Sequence, residues 1–192
     1  MKFKKELGKE IRGAFGYLRE SKNYIYAITL IFIAGAFIGF AFSADFSFFD
    51  NMLRELVDKI SGLSPWELIL FILQNNVKSS LFGIAFGAVL GIFPLVTTIF
   101  NGILIGYVMK AVWLEAGAGE FWRILPHGVF ELPAVIVSLA LGLKLGMFIL
   151  SKDKFNELKE RLKKSLIIFL CLVVPLLVVA AIIEGLLIFA YK

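Results

Sequence analysis

Long apolar segments constrain the fold of this chain more than any other feature of its sequence. They lie at about residues 25–42, 77–93, 95–112, 127–150 and 166–191. Each is close to or above the roughly 20 residues that an α-helix needs to cross a ~30 Å hydrocarbon core. The chain is 59% hydrophobic over 192 residues, whereas soluble domains are usually nearer to half apolar. We therefore predict an all-α integral membrane protein with about five transmembrane helices.

The charged residues lie mainly between these segments and predict the topology. Residues 1–24 and 151–165 are net positive, whereas residues 45–62 are acidic on balance. Because basic loops stay in the cytoplasm, both basic segments are predicted inside, and an even number of spans must connect them. Four spans satisfy this requirement. The N-terminus is then cytoplasmic, and a fifth span leaves the C-terminus outside the cell membrane. The net charge of +5 follows from this pattern, so we expect the lipid bilayer and no nucleic acid as a partner.

The segment from residue 64 to residue 112 allows two interpretations. Ser64-Pro65-Trp66-Glu67 is typical of a helix start, with serine as N-cap and proline at the first position. The apolar run that follows is too short to cross and ends in polar residues at 74–76, which favours a short re-entrant helix over 65–75. Pro94 interrupts the next run, so we prefer two spans with a tight turn to one tilted, kinked helix. One helix would also break the parity of the spans.

Two further segments have amphipathic patterns. Residues 1–24 predict a cytoplasmic amphipathic helix, which either lies on the inner leaflet or packs on the protein's own cytoplasmic end. Residues 45–62 predict another such helix at the outer interface. We therefore divide the chain into this N-terminal helix and a single transmembrane domain over 25–192.

Glycines and prolines recur within the predicted spans. Glycines four residues apart let helix backbones approach closely, although ordinary glycine frequency in membrane helices is the alternative. We expect tight packing, part of it between copies in a homo-oligomer. Prolines that interrupt a span free carbonyl groups that can face a cavity, or simply kink helices for packing. The residues are Gly83, Gly87, Gly91, Gly102 and Gly106 for packing, and Pro94, Pro133 and Pro175 for helix breaks.

Ionisable residues near the outer ends of the spans form the candidate site. His127, the single histidine, lies four residues before Glu131, so both share one helix face. Glu184 and Asn76 are predicted to lie near the same surface, and Asn101 deeper on the third span. Ionisable groups inside a membrane are costly and indicate a functional site. This set could bind a divalent cation, with His127 and Glu131 as metal ligands, or pass protons. The alternative is a structural network in which Glu131 pairs with His127 or Lys78.

Catalytic motifs are absent from the sequence. It contains no His-Glu-x-x-His motif and no Gly-x-Ser-x-Gly motif, and a lone histidine leaves no choice of general base. The single cysteine, Cys171, excludes an intramolecular disulfide. We therefore expect a protein that is not an enzyme, has no catalytic residues and needs no cofactor beyond a possible divalent cation.

Several of these motifs occur together in one known family. Asn75-Asn76, the glycine series and above all the block Leu125-Pro126-His127-Gly128-x-x-Glu131-x-Pro133-Ala134 resemble the stage II sporulation protein M family. The resemblance covers about residues 24–191. It implies a multi-pass membrane protein that forms complexes, with a polar motif in the membrane. In spore-formers the namesake resembles a membrane partner of cell-wall-degrading proteins, and many members are predicted permeases.

Two functions follow as expectations. The first is a non-enzymatic permease or channel-like protein for an ion or small solute that uses the His/Glu site. The second is a membrane scaffold that assembles cell-envelope remodelling proteins as its partners. Neither the motifs nor the resemblance selects a substrate.

Overall fold

Eight α-helices account for most of the structure, a computed structural model that describes residues 2–123 and 125–190, with side chains for residues 5–117, 119–121 and 128–188. The helices are α1 (Lys2–Glu20), α2 (Lys22–Ala41), α3 (Phe48–Ser61), α4 (Pro65–Ala85), α5 (Ile92–Ala116), α6 (Leu125–Gly146), α7 (Lys154–Ile168) and α8 (Val174–Ala190). Short 3-10 turns follow α2, α4, α5 and α6, and a π-helical turn, Phe169–Val173, joins α7 to α8.

Five helical segments of the described chain are long and apolar enough to cross a membrane. They are Lys22–Ala41, Pro65–Ala88, Ile92–Ala116, Gly128–Leu150 and Lys154–Ile188. The prediction of an all-α membrane protein with about five spans is therefore confirmed. The last segment combines α7 and α8, because the π-helical turn lets the chain pass Pro175 without ending the helix.

The second span begins earlier than we predicted. In place of a short re-entrant helix over 65–75 and a span over 77–93, one helix runs from Pro65 to Ala85 and continues as a 3-10 turn to Ala88. Its start is the predicted one, since Ser64 and Glu67 form a reciprocal capping box. The polar residues at 74–76 do not end the helix, because the backbone hydrogen bonds of a helix do not depend on polar side chains. The polar side chain of Asn76 also has a hydrogen-bond partner within the protein.

A tight turn separates α4 from α5. This segment therefore forms two spans, as we predicted, and not the single kinked helix that was the alternative. Leu90 and Gly91 have positive φ angles of 56° and 68°, in the left-handed region that favours glycine. Pro94, predicted to break a helix, instead lies in the first turn of α5, where a missing N–H has no helical acceptor to lose. Pro133 lies inside α6 and does not end it.

Glycines bring two helix pairs into backbone contact. A Cβ on Gly102 of α5 would lie 2.5 Å from the carbonyl oxygen of Phe32 and 3.2 Å from the Cα of Gly35, both on α2. Likewise a Cβ on Gly83 would meet Leu139 of α6, and one on Gly87 or Gly91 would meet the α6 segment around residues 142–143. The glycine faces of α4 and α5 are therefore occupied within one chain, so they give no support for contacts between copies.

The basic helices pack together at one end of the bundle. Ala14 and Tyr17 of α1 are buried, and Glu10 of α1 pairs with Lys163 of α7 at 2.8 Å. Of the two interpretations for the N-terminal helix, the structure thus favours packing on the protein itself. At the opposite end α3 packs on the bundle through the buried ring of Phe49, which contacts the rings of Phe100 and Tyr107.

Candidate functional site

A cavity of about 480 Å³ lies between the helices at the α3 end of the bundle. Its walls come from α2, α4, α5, α6 and α8, and α3 contributes Leu53, Leu56 and Ile60. Most of the lining is apolar, and six polar side chains also face the cavity: Asn75, Asn76, Ser79, Asn101, Glu131 and Glu184. The fold therefore gathers polar residues from four spans around one partly open cavity.

A hydrogen bond between two spans forms the centre of this polar group. The amide Nδ2 of Asn76 donates to Oε2 of Glu131 at 2.6 Å, and both residues are buried, with 8% and 9% of their surface exposed. Burying a carboxyl group away from water is costly unless it is hydrogen-bonded, so this bond offsets part of that cost. Asn76 lies near the midpoint of α4 and Glu131 near the start of α6, so the bond joins the middle of one span to the first turns of another.

The other predicted site residues divide into two groups. Glu184 of α8 and Asn101 of α5 line the same cavity as Glu131 and Asn76. His127 lies in the first turn of α6, but its side chain is outside the described residues, so the predicted His127–Glu131 metal pair stays a prediction. Among the described side chains, no three His, Cys, Asp or Glu residues come close enough to hold a metal ion.

Sequence reasoning did not include Ser79 in this site. Ile72, Asn75, Asn76 and Ser79 recur at spacings of three and four residues, which marks one face of a helix. That signal was present, but a helix thought to end at residue 75 could not carry it. The continuous α4 places all four along the cavity.

A second buried polar group lies at the opposite end of the bundle. Lys144 Nζ donates to the backbone oxygen of Tyr17 at 3.2 Å and to Ser21 Oγ at 3.1 Å, and it lies 3.7 Å from the centre of the Tyr17 ring. Burial raises the pKa of Tyr17 to about 12, because the phenolate would lose its hydration. These contacts attach α1 to α6, and none of the three residues lines the cavity, so we assign them a structural role.

The fold and the cavity together define a class: a multi-pass α-helical membrane protein whose helix bundle contains a mostly apolar cavity with several polar side chains. Within that class, the chain belongs to the stage II sporulation protein M family, whose model matches residues 28–187.

Two relatives from Methanocaldococcus jannaschii are similar to this chain over most of its length. The uncharacterized protein MJ0706 is 28% identical, in an alignment that covers 86% of this chain and 81% of the relative. The uncharacterized protein MJ0793 is 31% identical and covers 70% of this chain and 80% of the relative. No solved structure matches the chain. Family membership thus agrees with the architecture, and the site must be interpreted from its own geometry.

Proposed function

We propose that this protein is a non-enzymatic permease or channel-like protein for an ion or small solute, with its binding site in the cavity. The observation that supports this proposal is the buried Asn76–Glu131 bond facing a cavity of about 480 Å³. A purely structural hydrogen bond between spans needs no adjacent space, and close packing is the rule in protein interiors. Polar groups from four helices that converge on a cavity are instead typical of ligand and ion sites in membrane proteins.

The carboxyl groups give this site its chemistry. A carboxylate offers about four acceptor positions, so Glu131 can accept the Asn76 amide and still contact a cation or a proton donor. Glu184 adds a second carboxyl group, and Asn75, Asn76 and Asn101 add amide oxygens. Oxygen ligands of this kind suit hard divalent cations, and His127 would add a nitrogen ligand if it faces the same space.

Reconstituted vesicles test the proposal directly. We expect vesicles that contain the protein to pass protons or one of a panel of mono- and divalent cations, followed with dyes trapped inside. Glu131→Gln should reduce the flux at least tenfold and leave the assembly unchanged in size-exclusion chromatography. Glu115→Gln, on an exposed residue near the end of α5, is the matched control and should keep the flux. Equal flux in both variants would contradict a role for Glu131.

Thermal stability against the same cations gives an independent test. A ligand that binds only the folded state raises the melting temperature by mass action. Stabilisation by one cation that disappears in Glu131→Gln would support a binding site. A variant that is less stable but has no cation response to lose would support the structural alternative.

A homo-oligomer is also part of this proposal, and a stripe on α4 supports it. Gln74 and Lys78 are exposed near the middle of the span, between the exposed apolar residues Leu70 and Phe82. A charged side chain that faces lipid at this depth costs about 2.5–3.5 kcal/mol on insertion scales. A second copy packed on this stripe would remove that cost.

Cross-linking through Gln74→Cys in a Cys171→Ser background should give dimers, whereas Leu114→Cys, exposed near the end of α5, should not.

The orientation in the cell membrane follows from the positive-inside rule. We propose that the end with α1 and α7 is cytoplasmic and that the α3 end and the C-terminus lie outside. Labelling of Lys9→Cys and Glu55→Cys with an impermeant thiol reagent in intact cells, on the Cys171→Ser background, tests this. Only Glu55→Cys should react.

A scaffold for cell-envelope proteins is the second candidate, and α3 favours it. Phe48 and Val57 are 55% and 57% exposed on this helix, which would present apolar side chains to a protein partner at the outer surface. A scaffold should tolerate Glu131→Gln and lose its partner when Phe48 and Val57 become serine. A transport protein should show the reverse.

A further inference from the structure

We propose that the cavity takes an amphiphilic organic cation, that is, an ammonium group attached to a hydrocarbon group. This inference rests on the proposed function, because it names the substrate class for the same cavity. It comes from how polar and apolar side chains are distributed along the cavity walls.

The polar lining lies deeper in the bundle than most of the apolar lining. On α4 the apolar residues Leu68 and Ile72 are nearer to the α3 end than Asn76 and Ser79. The chain returns through α5 in the opposite direction, where Asn101 comes before the apolar lining residues 104, 105 and 108.

The last helix repeats this order. On α8 the polar residue Glu184 precedes Leu187 and Ile188, and the end of α8 packs beside the start of α4, where Gly185 contacts Ile69. Three walls therefore share one gradient, with amides and a carboxyl group deep inside and hydrocarbon towards α3. On α6 the order is reversed, because Glu131 lies nearer to α3 than Leu132 and Val135, and its bond to Asn76 places its carboxyl group beside the α4 amides. A ligand that matches both parts must itself have a polar end and an apolar end.

The deep end of the cavity suits a hydrogen-bond donor with positive charge. Glu131 and Glu184 supply carboxyl oxygens, and the asparagines supply amide oxygens. An ammonium group can donate to several of these acceptors at once, and charge-assisted hydrogen bonds are the stronger ones. Phe32 and Phe71 also line the cavity, and aromatic rings attract ammonium groups. None of the described lining residues is Lys or Arg.

The size and opening of the cavity favour an organic ligand over a bare ion. A volume of about 480 Å³ lies within the range of small-molecule sites, which are mostly apolar with a few placed polar groups. A desolvated metal ion would leave the apolar part of this volume empty. Asn76 is buried whereas its neighbours Asn75 and Ser79 are exposed, so the cavity opens along one side of α4. An amphiphile dissolved in the bilayer can enter there.

Three probes with one hydrocarbon group and different polar ends test the inference. We would titrate purified protein in lipid nanodiscs with 4-phenylbutylamine, 4-phenylbutanol and 4-phenylbutyrate, and follow the melting temperature and the binding heat. The amine should raise the melting temperature in a saturable way, the alcohol less and the carboxylate not at all. Glu131→Gln should weaken amine binding at least tenfold, and Glu115→Gln should not change it. Glu184→Gln on another helix serves if Glu131→Gln fails to assemble.

The alternative outcomes separate this inference from the proposed function. A response to inorganic cations with no response to the amine would overturn the inference and leave the permease proposal standing. Equal responses to all three probes, or an amine response unchanged in Glu131→Gln and Glu184→Gln, would overturn it as mere partition into lipid. No response to any amine or inorganic cation, together with unchanged flux in Glu131→Gln, would overturn both.

Discussion

Replacing Gly102 by alanine should destabilise the protein by forcing α2 and α5 apart. The new methyl carbon would lie 2.5 Å from the carbonyl oxygen of Phe32 and 3.2 Å from both the amide nitrogen of Ala36 and the Cα of Gly35. Carbon–oxygen contacts normally begin near 3.3 Å, so the two helices must separate by roughly 1 Å. Neither obstacle is a flexible side chain that could rotate away.

The expected cost is about 2–3 kcal/mol. Overpacking a well-packed core typically costs 1–3 kcal/mol, and the upper part of that range applies because backbone meets backbone along the most extensive helix pair in the described structure. Alanine has a higher helix propensity than glycine, by up to ~1 kcal/mol in water. This gain offsets only part of the steric cost, so the variant should still be less stable than the wild type.

Gly16→Ala is the matched control for this prediction. Gly16 lies within α1 and has no atom within 4 Å of its ideal Cβ position, so this variant receives the propensity gain without the clash. Thermal unfolding in detergent, followed by circular dichroism, should show a lower melting temperature for Gly102→Ala and an equal or higher one for Gly16→Ala. Equal melting temperatures in the two variants would refute close packing of α2 on α5.

Three further predictions concern the ends of the bundle. Tyr17 has a pKa raised to about 12 in the folded protein against about 10 in the unfolded chain. The stability that its neutral form contributes is therefore fully present below pH 10 and is lost as the pH rises towards 12. Melting curves from pH 9 to 11.5 should show a steeper alkaline loss of stability in the wild type than in Tyr17→Phe, by up to ~2 kcal/mol. Lys144→Met removes the bonds to Tyr17 and Ser21 and should speed proteolysis within α1 roughly tenfold, whereas the exposed Lys152→Met should not. Tyr107→Phe removes the 2.5 Å bond to Asp50 and should raise the rate of hydrogen exchange in α3 but not in α1. Unchanged exchange in α3 would show that the packing of Phe49 is enough to keep α3 on the bundle.

Much of the fold follows from sequence signals that act locally. Apolar runs of membrane length predicted the five spans, and the Ser64–Glu67 capping box marked the start of α4, because each signal depends only on neighbouring residues. The family motif also led to Glu131. The prediction of where α4 ends was wrong because it depends on a residue that is distant in the sequence. Hydropathy assigns polar residues at 74–76 a cost, and it has no term for a partner 55 residues away that removes part of that cost.

The corrected α4 changes where Asn76 lies in the candidate site. A short helix ending at residue 75 would have placed Asn76 near the outer surface, where water reaches a polar residue easily. In the structure Asn76 is near the midpoint of α4, and it donates to the Glu131 carboxyl group from the first turns of α6. A carboxyl group buried between spans exchanges protons or ligands only through a polar or open route, and the cavity lined by these helices is the described space that reaches it. The burial of this bond beside the cavity therefore makes the occupant of the cavity the main functional question for this protein.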